Sequence, residues 1–589
     1  MKRLSALWIV LFLLALCMSA CDSDAPSADT TADLVSTTVA PATEPSITEL
    51  AIVKNGVANF RVIRGEDATK AAIDAAALIR SQIGETTGVY LDMSTDWVKR
   101  GTEHDHESLE ILVGPTGYSE STDALQDIPY GDYVITRINN KLVINAWSEQ
   151  GLSAAVSALT RELWRSGGLN NFTLPADIHI TGTTLEIINH IPYYNGGRLD
   201  AVYHAGDNNQ VLIIEETNSD EYAVYRETLA SAGYTLYAEN DITDNRFATY
   251  INDNYVINAG YYGYDNEVRI IIEPRTTLPA LESENKYEKI VEPSFAMLGL
   301  EYMNGDELTQ NGLCLIWQLA DGSYIVADGG LNRARDAKAL YDYMYQHAPD
   351  PNNITIAAWF ITHSHGDHDG AFRKFSTSYA SKVKLEMLIG NFPSQEARDE
   401  GGISTEGGSG PQTMKCVQSY KDAEFVKAHV GQEYFLRDAK VEILYTLESF
   451  APGVLTYFNT SSLIFTVEIG GQRFLIPGDA SNNACTIASK MYTDYLKSDF
   501  IHAAHHGYNT GSDSSGYSGV TKFYSLSAAP VVLWPIGDQN YHASMHTRAY
   551  SAHLQNLAST KEIIVAGSRE FRITLPYTYG TSGQKTILK

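Results

Sequence analysis

At 589 residues the chain is too long for a single hydrophobic core, and two to four domains are expected. Hydrophobic content of 44% and charged content of 19% are those of a folded soluble protein, while a formal charge of −28 opposes nonspecific contact with nucleic-acid backbones. The five cysteines, Cys17, Cys21, Cys314, Cys416 and Cys485, show no close spacing, so neither a disulfide framework nor a thiolate zinc site is encoded. Cys314, Cys416 and Cys485 read as small buried hydrophobes, and the 36 tyrosines as strand residues.

The chain opens with Lys2 and Arg3, then an apolar run over residues 4–18 that is short for a membrane span. It ends in Met18-Ser19-Ala20-Cys21. This resembles the lipobox of bacterial lipoproteins, with Met in place of the usual Leu. The resemblance implies cleavage after residue 20, lipid attachment at Cys21 and an extracytoplasmic, membrane-anchored protein; an ordinary secretory signal is the alternative. Residues 22–46, rich in Ser, Thr, Ala, Asp and Pro, read as a disordered tether.

Residues 47–184 read as an α/β domain. Helices are expected at 68–83 and 151–164, a strand at 109–114, and a hairpin turning at Asn139-Asn140. This order resembles the small accessory domain that precedes catalytic domains in several glycoside hydrolases, and it supplies no catalytic residue. Residues 185–292 read as an α+β unit: strands at 211–215, 247–251, 255–259 and 267–273 and a helix at 220–232. With no chemical motif, this unit is expected to brace the next domain rather than bind a ligand.

The third domain, 293–589, carries the chemistry. A hairpin over 312–327 ends in Asp328-Gly329-Gly330, a helix spans 334–347, and the apolar run 354–361 reads as a buried strand. Directly after it comes His363-Ser364-His365-Gly366-Asp367-His368. Imidazole and carboxylate without thiolate, on a loop at a strand end, is the ligand chemistry of a catalytic zinc-type site. Downstream lie Asp479 at the end of a second buried strand, His502 with His505-His506-Gly507, and His542 with His546. Eight of the 16 histidines fall in these clusters.

Together, Asp328-Gly329-Gly330, the His363–His368 cluster, Gly478-Asp479, His505-His506-Gly507 and a C-terminal histidine resemble the metallo-β-lactamase superfamily over about residues 295–589. The resemblance implies an αββα sandwich preceded here by two small α/β or α+β domains. It implies His363 and His365 on one divalent ion, Asp367 and His368 on a second, and Asp479 bridging. His546, or His542, would complete the ligand set of the second ion. The ions would be zinc, with manganese or iron as alternatives. Asp367 would also orient the attacking hydroxide. Asp328 looks like a partner fixing an imidazole; a turn-former before Gly-Gly is the other reading.

A lone histidine between the first cluster and the bridging aspartate is common in that superfamily. Only His429 is available, in a stretch (425–429) that reads as helix, and it is not expected to be a ligand. The run Asn459-Thr460-Ser461-Ser462-Leu463-Ile464 with His505-His506-Gly507 instead resembles the subgroup of competence-protein metallo domains and bacterial phosphorylcholine esterases. That implies one histidine of the pair on the first metal. His505 is assigned as that ligand and His506 to the substrate oxyanion, and the two could be exchanged. The glycine-rich loop 401–410 reads as a lid or a plain insertion, and Tyr508, Trp534 and Tyr541 as a cage for a quaternary ammonium.

The function expected is a surface-anchored binuclear hydrolase of a small-molecule or cell-envelope phosphodiester or phosphorylcholine-type bond. A lactonase or β-lactam-type acyl hydrolase and a non-enzymatic envelope-binding protein are the alternatives. A nuclease is disfavoured by the charge.

Overall fold

The computed structural model describes residues 49–589 except 127, 129–131, 184–189, 207–208, 301, 305–306, 310–311, 404–409, 508–517, 538–540, 542–548 and 568–569. Cys21, Tyr508, His542, His546 and the centre of the glycine-rich loop therefore lie outside the described residues. The rest of the chain, Glu49–Lys589, is one compact unit.

Its N-terminal part is a six-stranded sheet in the order His179–Thr183, Asp132–Ile138, Lys141–Ala146, Glu110–Val113, Arg61–Arg64, Met93–Thr95, beside a smaller four-stranded sheet. Helix Lys70–Thr87 forms where Ala72, Ala76, Ile79 and Ile83 recur at helical spacing and are buried together. Thr69 caps its start by accepting from the Ala72 amide, and Gly88 ends it in the left-handed conformation. Helix Glu149–Ser166 packs beside it.

The middle part is a wholly antiparallel sheet: Arg198–Gly206, Asn209–Glu215, Glu267–Pro274, Tyr255–Tyr262, Asn245–Ile251, Thr235–Ile242. Helix Ser219–Ser231 covers one face through Tyr222, Tyr225 and Leu229. The other face meets the C-terminal part: Ile242, Phe247 and Tyr262 join that part's core, and Asn240 Nδ2 donates to the Gly431 carbonyl (3.2 Å) and to Glu442 (2.9 Å).

The C-terminal part is a four-layer α/β/β/α sandwich, with two eight-stranded sheets facing each other. Their shared core is apolar and aromatic: Phe295, Trp317 and Phe360 from one sheet, Phe465, Phe474 and Phe500 from the other. Each such side chain contributes about 1.5–3 kcal/mol by leaving water. Helices Ala334–His347 and Gly370–Tyr379 cover the outer face of the first sheet, and Asn482–Tyr492 and Ser518–Ser527 that of the second.

Strand Ile354–Phe360 lies in the interior of the first sheet, parallel to both Tyr324–Asp328 and Met387–Gly390. Burial on both faces accounts for its continuous apolar sequence. One expectation fails here. Residues 425–429 are not helical, because Glu424–Lys427 pairs as an edge strand with Met387–Gly390.

Candidate metal centre

The site is assembled at the carboxyl ends of strands from both sheets. Tyr324–Asp328 delivers Asp328 and Ile354–Phe360 delivers His363 to His368; in the second sheet Gln472–Ile476 leads to Asp479 and Phe500–His502 to His505-His506. Gly478 makes the close approach possible. Its φ is +54°, and a Cβ there would lie 2.7 Å from the Thr362 side chain.

Asp479 Oδ2 is the hub. It lies 3.1 Å from His368 Nε2, 3.7 Å from His506 Nε2, 3.9 Å from His505 Nε2 and 4.0 Å from His363 Nε2. Asp367 Oδ2 is 3.5 Å from His506 Nε2, and Asp367 Oδ1 is 3.9 Å from His368 Nε2. Two sets of donor atoms are close enough for a shared cation: His363, His368 and Asp479, and Asp367, His368 and His506. His365 joins the first, its Nδ1 lying 2.8 Å from His363 Nε2.

The atoms left over say the same. His368 Nε2, His506 Nε2 and Asp479 Oδ1 are buried without a hydrogen-bond partner among the described residues, which is costly unless an ion or water satisfies them. Burial and the neighbouring rings of His368 and His365 push the His363 imidazole far towards neutrality, and burial does the same to His365. Burial works against charge on Asp479 and Asp367 too, but the surrounding histidines hold both carboxyls well below the usual range. On His368 burial is outweighed by Asp479, Asp328 and Asp367, which raise it well above an ordinary histidine; Asp479 and Asp367 raise His506 likewise. No lysine or arginine pairs with these carboxylates among the described residues. A field that holds protons on two imidazoles suits a divalent cation better, and the nitrogen, carboxylate and thiolate-free donor set fits one.

Each ligand is fixed from behind. Asp328, fully buried, accepts from the Thr362 amide and hydroxyl (both 2.8 Å), and its Oδ2 lies 2.8 Å from His368 Nδ1. This leaves His368 Nε2 for the site. His505 and His506 both adopt positive φ, 51° and 53°, which non-glycine residues avoid unless held. The hold comes from Trp534 Nε1 donating to the His506 carbonyl (3.0 Å), the His505 amide donating to the Gly478 carbonyl (3.2 Å), and the Ala504 amide donating to Tyr524 (2.9 Å). His506 Nδ1 faces the Pro535 carbonyl at 3.2 Å, directing Nε2 inward.

Residues 312–515 match the model of the metallo-beta-lactamase superfamily. This stretch is a metallo-beta-lactamase superfamily domain. Members of that superfamily are mostly metal-dependent hydrolases, and the fold binds divalent ions, often two. No curated protein matches the chain. Similar solved structures include the metallo-beta-lactamase fold protein YhfI from Bacillus subtilis, with 11% identity, a TM-score of 0.31, and 48% of this chain and 100% of that one covered. CmlA, a diiron beta-hydroxylase from Streptomyces venezuelae, shows 11% identity and a TM-score of 0.30 over 69% of this chain and 74% of its own. Unliganded yeast PDE1 shows 10% identity and a TM-score of 0.27 over 49% and 100%.

Of the histidine pair, whose order the sequence left open, His506, buried and backed by Pro535, groups with Asp367 and His368, whereas His505, partly exposed and 3.9 Å from Asp479, is in neither of these sets among the described residues. The aromatic cage does not form from Trp534 and Tyr541. They are buried edge to face, 5.2 Å apart, beneath the His505-His506-Gly507 turn. His429 is no ligand: Glu448 and Glu273 hold its two nitrogens at 2.8 and 3.1 Å.

Two further residues lie at the site, the first without any sequence signal and the second a member of the histidine clusters. Phe458 is fully buried with its ring stacked on His365, centroids 4.9 Å apart. His502, also fully buried, is pushed down to about 3 by burial and by His506, and so adds no charge.

Proposed function

We propose that the protein is a secreted, surface-anchored, binuclear metal-dependent hydrolase of phosphodiester or phosphorylcholine-type bonds. The observation that carries this reading is His506 Nε2 turned against Asp367 and Asp479, so that the His-His-Gly turn itself supplies the last donor of the second set. That turn is the feature resembling the phosphorylcholine esterase subgroup. On this reading His363, His365 and Asp479 hold one ion, and Asp367, His368, His506 and Asp479 the other.

Divalent ions bound there would bring a water's pKa towards neutrality and offset charge on phosphoryl oxygens. The chain's own residues set the stage. Asp328 fixes the His368 tautomer, and Trp534 fixes the turn that presents His506. The Asp367 side chain is 36% exposed, placing a carboxylate at the mouth where an attacking water enters. His505, nearer solvent, is positioned to donate to a substrate oxygen. Anchoring follows from the lipobox-like Met18-Ser19-Ala20-Cys21, and the membrane is a partner through that lipid alone.

Zinc-loaded protein should turn over bis(p-nitrophenyl) phosphate or p-nitrophenyl phosphorylcholine in preference to a lactone or nitrocefin. Turnover of the acyl substrates alone would contradict the phosphoester assignment, and no turnover of any would contradict hydrolysis. A Cys21→Ser chain should be shed into the medium; retention on the membrane would contradict the anchor.

A further inference from the structure

The loop over residues 446–461 joins the metal centre to the middle sheet. We propose that Arg269, on strand Glu267–Pro274 of that sheet, is a positioning residue for the metal centre, acting through this loop on the Phe458 ring that lies on His365. The proposal rests on the reading of His365 as a metal ligand, and makes the middle part of the chain a working piece of the site.

Arg269 is buried, and its guanidinium spans two acceptors on the loop. One nitrogen, Nη1, donates to the Glu448 carbonyl at 2.6 Å and to the Ala451 carbonyl at 2.7 Å, while Nε donates to Glu267 at 2.5 Å. A planar fork that cannot lose its proton fixes the backbone at both carbonyls. The Ala451 methyl is seated among Ala201, Val211, Ile213 and Ile271 of the same sheet. The Glu448 carboxylate is held by His429 at 2.8 Å and Lys427 at 3.2 Å.

From there the chain runs to Leu455 and Phe458, buried together with Ile403 and packed by Leu447. Phe458 stacks on His365, with 29° between the planes, and its centroid is 6.3 Å from that of His363. The far end of the loop is tied to both ligand loops: Thr460 Oγ1 donates to Ser481 Oγ (2.9 Å), and the Leu463 amide donates to the Thr362 carbonyl (2.8 Å). The near end has the middle sheet as its anchor. A ring on the imidazole face limits rotation of His365 and shields it from water, so loosening the near end should loosen that ligand.

The test uses the full chain, zinc as the probe, and the variants Arg269→Met, Arg269→Lys and Phe458→Ala. Amide exchange is read over 446–461 and zinc affinity by chelator competition. Arg269→Met should speed exchange in that segment at least about tenfold and weaken the looser zinc about 10–100-fold, the range for residues that orient a ligand. Arg269→Lys, which keeps one donor group, should recover part of both losses. Phe458→Ala should weaken zinc to a similar degree with exchange in the middle sheet unchanged.

Adding Arg269→Met to Phe458→Ala should weaken zinc no further, because both act on one contact. Unchanged zinc affinity in Arg269→Met, or losses that add in full, would overturn the proposal. Should Arg269→Met fail to fold, Arg269→Lys with wild-type exchange and affinity would overturn it equally. A parent chain that binds no zinc would overturn the function proposed above; exchange at 446–461 that ignores Arg269 would then overturn the tether.

Discussion

The metal centre and the ion cluster beneath the middle sheet are both buried gatherings of histidine and carboxylate, balanced in opposite ways. In the cluster, Lys427, His429 and Arg269 face Glu273, Glu448 and Glu267, with Lys427 Nζ 3.2 Å from Glu448 and 3.6 Å from Glu273. Burial disfavours the charge on His429, but Glu448 and Glu273 override it and raise it to about 9. Three cations answer three anions, and no further charge is called for. In the metal centre the charges of Asp328, Asp367 and Asp479 face imidazoles and, among the described residues, no lysine or arginine, and inward-facing nitrogens and an oxygen have no hydrogen-bond partner among those residues. A protein closes a buried cluster with its own cations when it needs a joint, and leaves it open towards cations when it needs a metal.

That contrast can be broken from either side. The largest effect should follow Asp479→Asn, which replaces by an amide the carboxylate that the proposed reading shares between the two ions. The proposed phosphodiester turnover should fall about 10³-fold, and metal content should drop below that of the parent. Lys427→Met attacks the joint instead. It leaves Glu273 and Glu448 short of a buried partner and should cost about 3–5 kcal/mol of stability in denaturant titration.

Asp328→Asn sharpens the comparison inside the metal centre. Metal affinity should fall about 10–100-fold, with the fold retained because the Thr362 amide can still donate to the remaining oxygen.

The smallest effect is one of pH. A folded His429 near 9, against about 6.5 unfolded, contributes stability that is fully present below about 6.5 and lost as pH rises through about 9. The urea midpoint should therefore fall between pH 7 and 9.5, and His429→Gln should flatten that slope. At the metal centre the raised His368 and His506 imidazoles make protons compete with metal, so metal affinity should rise with pH through their titration.

How much of this could be read from residues alone follows the same physics. The histidine cluster was legible because it follows an unbroken apolar run, and such a run forms a strand buried on both faces. Helix 334–347 was legible to the residue from its periodicity. In the middle sheet two strands went unseen, Arg198–Gly206 and Thr235–Ile242, and both are its edges, where one side of the ladder is open and the apolar alternation fades. The stretch 425–429 was misread because a four-residue edge strand is defined by its partner and not by its own pattern.

The pair His505-His506 could not be ordered from sequence, because both sit at positive φ and strand alternation does not apply there. Asp328 was ambiguous until Thr362 and His368, 34 and 40 residues away, were seen to meet it. Phe458, Arg269 and the loop between them belong to no motif. Their part in the site comes wholly from tertiary packing.

The central claim, that the open cluster is a two-metal centre, is tested most directly by metal stoichiometry. Purified full chain, loaded with zinc and freed of excess, should retain two ions per chain, and removing them by chelation should abolish phosphodiester turnover and lower thermal stability. A chain that retains none of zinc, manganese or iron, and whose stability ignores all three, would contradict it.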